Sequence, residues 1–381
     1  MMTQRSLRYH IGIFGKINSG KSSFLNSITD QDVSIVSSTK GTTTDPVYKP
    51  MEIHNVGPVV FIDTAGIDDY GELGEIRNKK SNSVIDKCDG FIYLLSNGDD
   101  LKFLKKLEDT KKPIIKVLSK SDTKYYSKLE EEFKEIDYVS YSSNKKDDKD
   151  KIIKIIEKTF SNSNEITITG DLVKENSTVI LVMPQDKEAP KGRLITPQVQ
   201  TIREILDKRA RAICVNPSEL KDTIDMLKDH IDLIITDSSV FKEVYDIKPE
   251  CIKMTSFSVL FSKFKGDIDY FLESVKRLDT KIDKILISEA CSHPPIDEDI
   301  GRVKIPRLIR KFHPEAEFFF QRGEDFSNIE DYDLIISCGA CMFNRTYMLN
   351  RVKKAKEKNI PMTNYGITIA YLKGILDKIT I

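Results

Sequence analysis

Short apolar runs alternate with longer polar stretches over residues 9–160. The runs HIGIFG, VVFIDT, GFIYLL, PIIKVLS and DYVSY are bounded by Gly, Asp, Ser or Pro, and the stretches between them suit helices. Near-continuous apolar strands joined by helices predict a mostly parallel α/β sheet. SSNKKDDKDKIIKIIEKTFSNSNE reads as a charged closing helix and a polar linker. From about Gly170 the pattern restarts, with TVILVMP, RAICV and DLIITDS as strands and TPQVQTIREILDKRA and KDTIDMLKDHI as helices. A third unit begins near Gly266: FLESVKRL as a helix, KIDKILISEAC, EAEFFFQRG and YDLIISCGAC as strands, and NRVKKAKEKN as the last helix. The expected boundaries are 1–165, 170–265 and 266–381, with no visible internal repeat.

Composition narrows the class only slightly. The 59 basic and 59 acidic residues cancel, so the summed field does not favour a nucleic-acid partner. No apolar run approaches the ~18 residues that span a bilayer, and the chain runs almost directly into its first strand, so neither membrane segment nor targeting peptide is expected. Six cysteines are too few and too scattered for a disulfide framework, and three sit near the C-terminus. That usage favours metal binding in a reducing compartment, and a cytoplasmic enzyme.

Chemistry enters at Gly15-Lys-Ile-Asn-Ser-Gly-Lys-Ser22, which fits G-x-x-x-x-G-K-S between a strand and a helix. The glycines let backbone N–H groups close around phosphate oxygens, and the helix N-terminus adds a favourable field. Gly15, Asn18, Ser19, Gly20, Lys21, Ser22 and Ser23 are therefore the expected nucleotide contacts. Lys21 would reach the β- and γ-phosphates, and Ser22 would hold Mg²⁺. Asp63-Thr-Ala-Gly66 ends a strand where a carboxylate can meet the Mg²⁺ shell and a glycine N–H the γ-phosphate. By resemblance to small GTPases, Thr43 in the polar loop GTTTDP is the second Mg²⁺ ligand. Ser119-Lys-Ser-Asp122 stands where such proteins carry N-K-x-D. Lys120 and Asp122 match, and Asp122 keeps the contact that selects guanine, so GTP is the expected nucleotide. Ile67 replaces the water-orienting glutamine of Ras-like proteins, which resembles GTPases of the translation and tRNA-modification type. In those, an Asn at the position of Asn18 binds K⁺, which implies slow, K⁺-stimulated hydrolysis; Glu75 is a candidate for orienting water.

At the other end, Cys291-Ser-His293 precedes Cys338-Gly-Ala-Cys341 by forty-odd residues. Two thiolates three residues apart can share a metal or cluster, and a distant pair can complete the ligand set. Ligand count leaves zinc and iron–sulfur open.

These motifs, with TTTDPV, GPVVFIDTAGIDD and EAPKGRLITPQVQTIREILD, resemble the HydF-type maturation GTPases of [FeFe]-hydrogenases over nearly the whole chain. The resemblance implies an α/β fold with an N-terminal P-loop GTPase domain (1–165), a dimerisation domain (170–265) and a domain carrying a [4Fe–4S] cluster (266–381). It implies Cys291, Cys338 and Cys341 as cluster ligands, with His293 matching the first family histidine and Ser337 replacing a second. It further implies GTP, Mg²⁺, K⁺ and a transient di-iron precursor, a homodimer, and apo-hydrogenase and radical-SAM maturases as partners. Lys191 and Arg193 in the middle unit are candidates to attract an anion. Two alternatives stay open: a ribosome- or RNA-assembly GTPase with a structural zinc domain, and a redox-sensing GTPase.

Overall fold

The computed structural model describes residues 8–30, 46–64, 83–99, 101–161, 166–185, 194–290, 299–323, 326, 328–340 and 343–381. The chain divides into two compact units, 1–164 and 165–381. The first is built on β1 (Tyr9–Gly15), β2 (Val47–Ile53), β3 (Gly57–Asp63), β4 (Gly90–Leu95), β5 (Ile114–Leu118) and β6 (Val139–Ser140). They lie in the order β2-β3-β1-β4-β5-β6 and pair in parallel except β2 with β3. Its helices are α1 (Lys21–Thr29), α2 (Lys102–Glu108), α3 (Tyr126–Glu132) and α4 (Lys146–Phe160).

β4 is buried at every position, which is why GFIYLL reads as an unbroken apolar run. α4 closes the unit by burying Ile152, Ile156 and Phe160, spaced four residues apart on one stripe. Each such side chain contributes about 1.5–3 kcal/mol by leaving water, and Asp147 and Asp148 in the first turn suit the positive end of the helix. β2 is absent from the strands expected from the sequence. Pro50 interrupts its pattern and cannot donate to a ladder, so the segment is tolerated only at an edge, where it lies.

The second unit holds two four-stranded, wholly parallel sheets. One comprises β7 (Thr178–Val182), β8 (Arg211–Val215), β9 (Leu233–Thr236) and β10 (Lys253–Ser256), in the order β10-β9-β7-β8. The other comprises β11 (Lys284–Glu289), β12 (Glu317–Arg322), β13 (Leu334–Ser337) and β14 (Met362–Asn364), in the order β12-β11-β13-β14. In both, the second strand lies on one side of the first and the third and fourth on the other. The wiring is thus duplicated although the sequence shows no repeat. The helices are α5 (Thr196–Asp207), α6 (Leu220–Leu227), α7 (Phe241–Ile247), α8 (Phe257–Lys265), α9 (Ile268–Val275), α10 (Ile305–Ile309), α11 (Arg345–Glu357) and α12 (Tyr365–Leu372). NRVKKAKEKN is therefore not the last element, since β14 and α12 follow. α12, with Gly366 to Ala370 buried without a break, shows no polar face from which to read a helical period.

The two sheets share one apolar cluster: Ile234 and Met254 of the first belong with Phe271 of α9 and Ile285 and Ile336 of the second. The fourth strand of each sheet leads straight into a helix capped by a side chain. Ser256 Oγ accepts from the Val259 N–H, and Asn364 Oδ1 accepts from the Ile367 N–H at 3.0 Å. α8 and α12 then meet at matching second positions, Ser258 and Gly366. A Cβ on Gly366 would stand 2.6 Å from the Ser258 Cβ. Gly366→Ala should therefore destabilise the second unit by about 1–3 kcal/mol in chemical denaturation. At an uncrowded helical site the same change stabilises by about 1 kcal/mol, so a stabilised variant would refute the close approach.

Candidate functional site

The chemistry of the first unit gathers at the carboxyl ends of β1, β3, β5 and β6. β1 ends at Gly15, whose φ of 151° and position beside Leu94 of the neighbouring β4 exclude a side chain: a Cβ would stand 2.7 Å from the Leu94 carbonyl oxygen. The loop turns through Asn18 (φ 61°) and Gly20 (φ 94°) into α1. Lys21 is 8% exposed, and its Nζ donates to the carbonyls of Gly15 at 2.8 Å and Lys16 at 2.7 Å, curling the loop around its own ammonium. Ser23 lines an open depression of about 580 Å³ with Asn144 and Lys146.

Ser22 Oγ donates to Asp63 Oδ2 at 2.9 Å, joining the start of α1 to the end of β3. Asp63 Oδ1 and the hydroxyl of Ser19 are buried without hydrogen-bond partners among the described residues. A buried orphan carboxylate oxygen beside a serine hydroxyl and a lysine is what a divalent cation and a phosphate would satisfy. Burial raises the Asp63 pKa above the ordinary carboxylate value, opposed by the Ser22 hydrogen bond and by the charges of Lys21 and Lys49. Lys49, on β2 and 5% exposed, donates to Asn26 Oδ1 of α1 and was not singled out from the sequence. Its only signal there is a lysine at an inward position of a strand that the Pro masks.

The base-side loop is partly as expected. Asp122 is exposed and accepts from Asn144 Nδ2 at 2.6 Å; that hydrogen bond and a second from Ser142 hold its pKa below the usual value. Lys120 Nζ donates to the Asn18 carbonyl at 3.0 Å, and Ser119 Oγ to the Ser19 carbonyl at 2.8 Å. Ser119, which stands where N-K-x-D has Asn, thus braces the phosphate loop. Ser142 and Asn144, immediately after β6, were missed; a Ser-Ser-Asn turn following the last strand was the available signal. Thr43, Gly66, Ile67 and Glu75 lie outside the described residues.

In the second unit β11 and β13 are neighbours, with Ser288 opposite Ser337. Cys338 is the first residue beyond β13. Its N–H donates to the Ser288 carbonyl at 2.9 Å, and its half-buried sulfur accepts from the Ala290 N–H at 3.1 Å. Ala290 is the residue before Cys291. The middle sheet repeats the arrangement: Asp237, the first residue beyond β9, donates its N–H to the Val182 carbonyl of β7. Where order reverses around the first strand, a parallel sheet leaves a ligand crevice at its carboxyl ends. Cys338 stands at that reversal.

Around it, Glu289 accepts from Arg302 at 3.2 Å and Arg322 at 2.8 Å. The Tyr365 hydroxyl is buried without a partner among the described residues, and burial, then the charges of Cys338, Glu289 and Asp299, push its pKa far up. Ser337, 1% exposed, donates to the Thr363 carbonyl at 3.2 Å and is engaged inside the sheet. Cys88 is buried under the first sheet and its thiol is pushed far up by desolvation, an inert core position. Cys291, His293, Cys341, Lys191 and Arg193 lie outside the described residues. Among the described residues no group of three or more His, Cys, Asp and Glu side chains is arranged to hold a metal, and no helix is long and apolar enough to cross a membrane.

Asp63→Asn tests the site electrostatics. With a raised folded-state pKa, wild-type Asp63 favours folding below its ordinary pKa and loses that contribution as pH rises through the folded value. The metal-free Asn variant should thus melt higher than wild type at pH 7, with the gap closing towards pH 4, while losing Mg²⁺-dependent nucleotide binding. A gap that does not change with pH would contradict the assignment.

Comparison with known proteins finds three matches along the chain. A family model described as a 50S ribosome-binding GTPase matches residues 10–120. The hydrogen maturase F dimerization domain matches 168–266, and the tetramerization domain of the same maturase matches 269–380. The tRNA modification GTPase MnmE of Brachyspira hyodysenteriae is 34% identical over 40% of this chain and 34% of its own length. MnmE of Endomicrobium trichonymphae is 40% identical over 32% of this chain and 28% of its own length. GTPase Der of Wolinella succinogenes is 40% identical over 22% and 18%, respectively. The chain thus spans about a third or less of these curated relatives. Among solved structures, Era of Aquifex aeolicus aligns at 18% identity and a TM-score of 0.34 over 54% of this chain and 92% of that one, too slight a likeness to carry an argument. The two maturase domains, consecutive and following a P-loop GTPase domain, decide the matter: this chain belongs to the HydF-type hydrogenase maturase GTPases.

Proposed function

We propose that the chain is a GTP-hydrolysing scaffold that holds a di-iron precursor on a [4Fe–4S] cluster and delivers it to apo-[FeFe]-hydrogenase. The observation that carries this reading is the Ala290 N–H on the Cys338 sulfur, because it brings the residue preceding Cys291 to the strand end that begins C-x-x-C. An N–H donor stabilises a thiolate, the form that binds iron. Cys291, Cys338 and Cys341 would hold the cluster, which supplies iron to which a cargo ligand can attach. With Ser337 engaged inside the sheet, the fourth position falls to His293 or to an exchangeable ligand. The crevice residues Glu289, Arg302 and Arg322 fix the strand ends around it.

At the nucleotide end, Lys21 and the amides of the loop would bind the β- and γ-phosphates, Ser22, Asp63 and Thr43 would hold Mg²⁺, and Asp122 would select guanine. Gly66 and Glu75 complete the candidate machinery, and Asn18 is the K⁺ candidate, whose cation would supply positive charge in the transition state. GTP state would bias association with apo-hydrogenase and the radical-SAM maturases through the switch segments, rather than act on iron. On this reading residues 170–265 make the dimer contacts, and residues 266–381, which carry the tetramerization match, hold the cargo.

Anaerobically purified protein should contain iron and sulfide. Cys338→Ala should lose both with GTP turnover nearly intact, and Lys21→Ala the reverse; zinc without iron would favour an assembly factor with a structural zinc domain. GTP turnover should be faster in potassium than in sodium at equal ionic strength, and equal rates remove Asn18 from this role.

A further inference from the structure

A buried lysine from the middle sheet's last helix reaches across to the cysteine loop. Lys265, the final residue of α8, is 2% exposed. Its Nζ donates to the carbonyl of Ala340 at 3.0 Å and to that of Phe343 at 2.9 Å. Those two acceptors flank Cys341 on either side. The clasp is reciprocal, since Arg345 Nε, just past the loop, donates back to the carbonyl of Phe264, the neighbour of Lys265, at 2.8 Å. Burying an ammonium is costly unless its donors are matched, so a leucine or methionine would be the less demanding choice for this packing position.

We propose that Lys265 is a positioning residue for the cluster ligands. It pins the carbonyls of Ala340 and Phe343 in the segment that begins at Cys338, and its buried ammonium sets a fixed positive charge on that segment. The inference rests on the cluster reading above and adds to it a contact from outside the cluster domain. Two thiolates and a reduced cluster carry negative charge that a desolvated cation offsets, so Lys265 favours iron retention and raises the reduction potential. Because α8 packs on α5 and α11, the loop geometry is tied to the domain that carries the dimerization match.

Lys265→Met removes the charge and the donors at nearly constant volume, and Lys265→Gln keeps a donor without the charge. In the metal-free chain, backbone amides of the 338–344 segment should exchange with deuterium about tenfold faster in the Met variant, the scale of one lost charge-assisted hydrogen bond. In the reconstituted protein a chelator should strip iron about tenfold faster, and the cluster potential should become more negative in both variants, with Lys265→Arg returning it towards wild type. Unchanged exchange in the metal-free chain overturns the clamp, whatever the metal content. Wild-type potentials in Met and Gln overturn the electrostatic role. Failure of wild type itself to take up iron and sulfide would instead sink the cluster reading, leaving the exchange experiment to decide the clamp alone.

Discussion

Parallel strands all finish at one end of a sheet, and their final carbonyls and amides must find partners there. Where the chain's crossovers depart in opposite directions from a central strand, no helix covers that end. All three sheets here have such a reversal, and the residues with chemical potential lie at the carboxyl ends of their strands. Gly15 ends β1, Asp63 ends β3, Ser119 follows β5, Ser142 lies two residues beyond β6, and Cys338 follows β13. Several of these residues are buried, so the polar atoms that the strand ends leave over must be matched by neighbouring loops or by a ligand.

The two ends meet this constraint differently. At the nucleotide end the backbone itself is shaped for an anion, through left-handed residues and a lysine folded back on its own loop, while buried oxygens of Ser19 and Asp63 stay unmatched. A site with unsatisfied polar atoms is held in tension, and a phosphate with its cation relieves it. At the cysteine end the charged groups find protein partners, Arg302 and Arg322 on Glu289, Arg351 on Ser288 and Gly323, and Lys265 on two backbone carbonyls, while the Tyr365 hydroxyl stays unmatched among the described residues. That end sets paired charges around a single half-buried thiol, Cys338.

Much of the first unit was legible because its motifs combine residue type with a place on a strand or helix. G-x-x-x-x-G-K-S is decisive only because HIGIF precedes it and SSFLNSI follows. What escaped reading had no such local mark. β2 hid behind Pro50, Lys49 behind β2, and Asn144 behind a turn whose partner, Asp122, is 22 residues away. In the second unit the strands were legible from their apolar runs, but α12 was not, since helix periodicity needs a wet face and Gly366 to Ala370 have none. The duplicated wiring was invisible for a deeper reason. Strand order depends on which strand pairs with which, and Ile, Val and Leu serve equally in any of the four places.

Duplication also explains why a residue of the middle sheet can govern the cysteine loop. Like units joined in tandem present like surfaces, and here the helices after β10 and β14 meet at Ser258 and Gly366. That contact leaves the far end of α8 beside the loop after β13, because α8 passes α12 at its start and α11 further on. A substitution anywhere along α8 that tilts it therefore moves Phe264 and Lys265 together, and with them the carbonyls of Ala340 and Phe343. The middle domain keeps a carboxylate, Asp237, bonded to Gln198 at the position where the last domain has Cys338. There an amide side chain donates to the carboxylate, whereas the thiol accepts from a backbone N–H, that of Ala290. From one wiring the chain thus derives two strand ends of different chemistry, a carboxylate at Asp237 and a thiol at Cys338, and α8 is the element that packs on helices of both sheets.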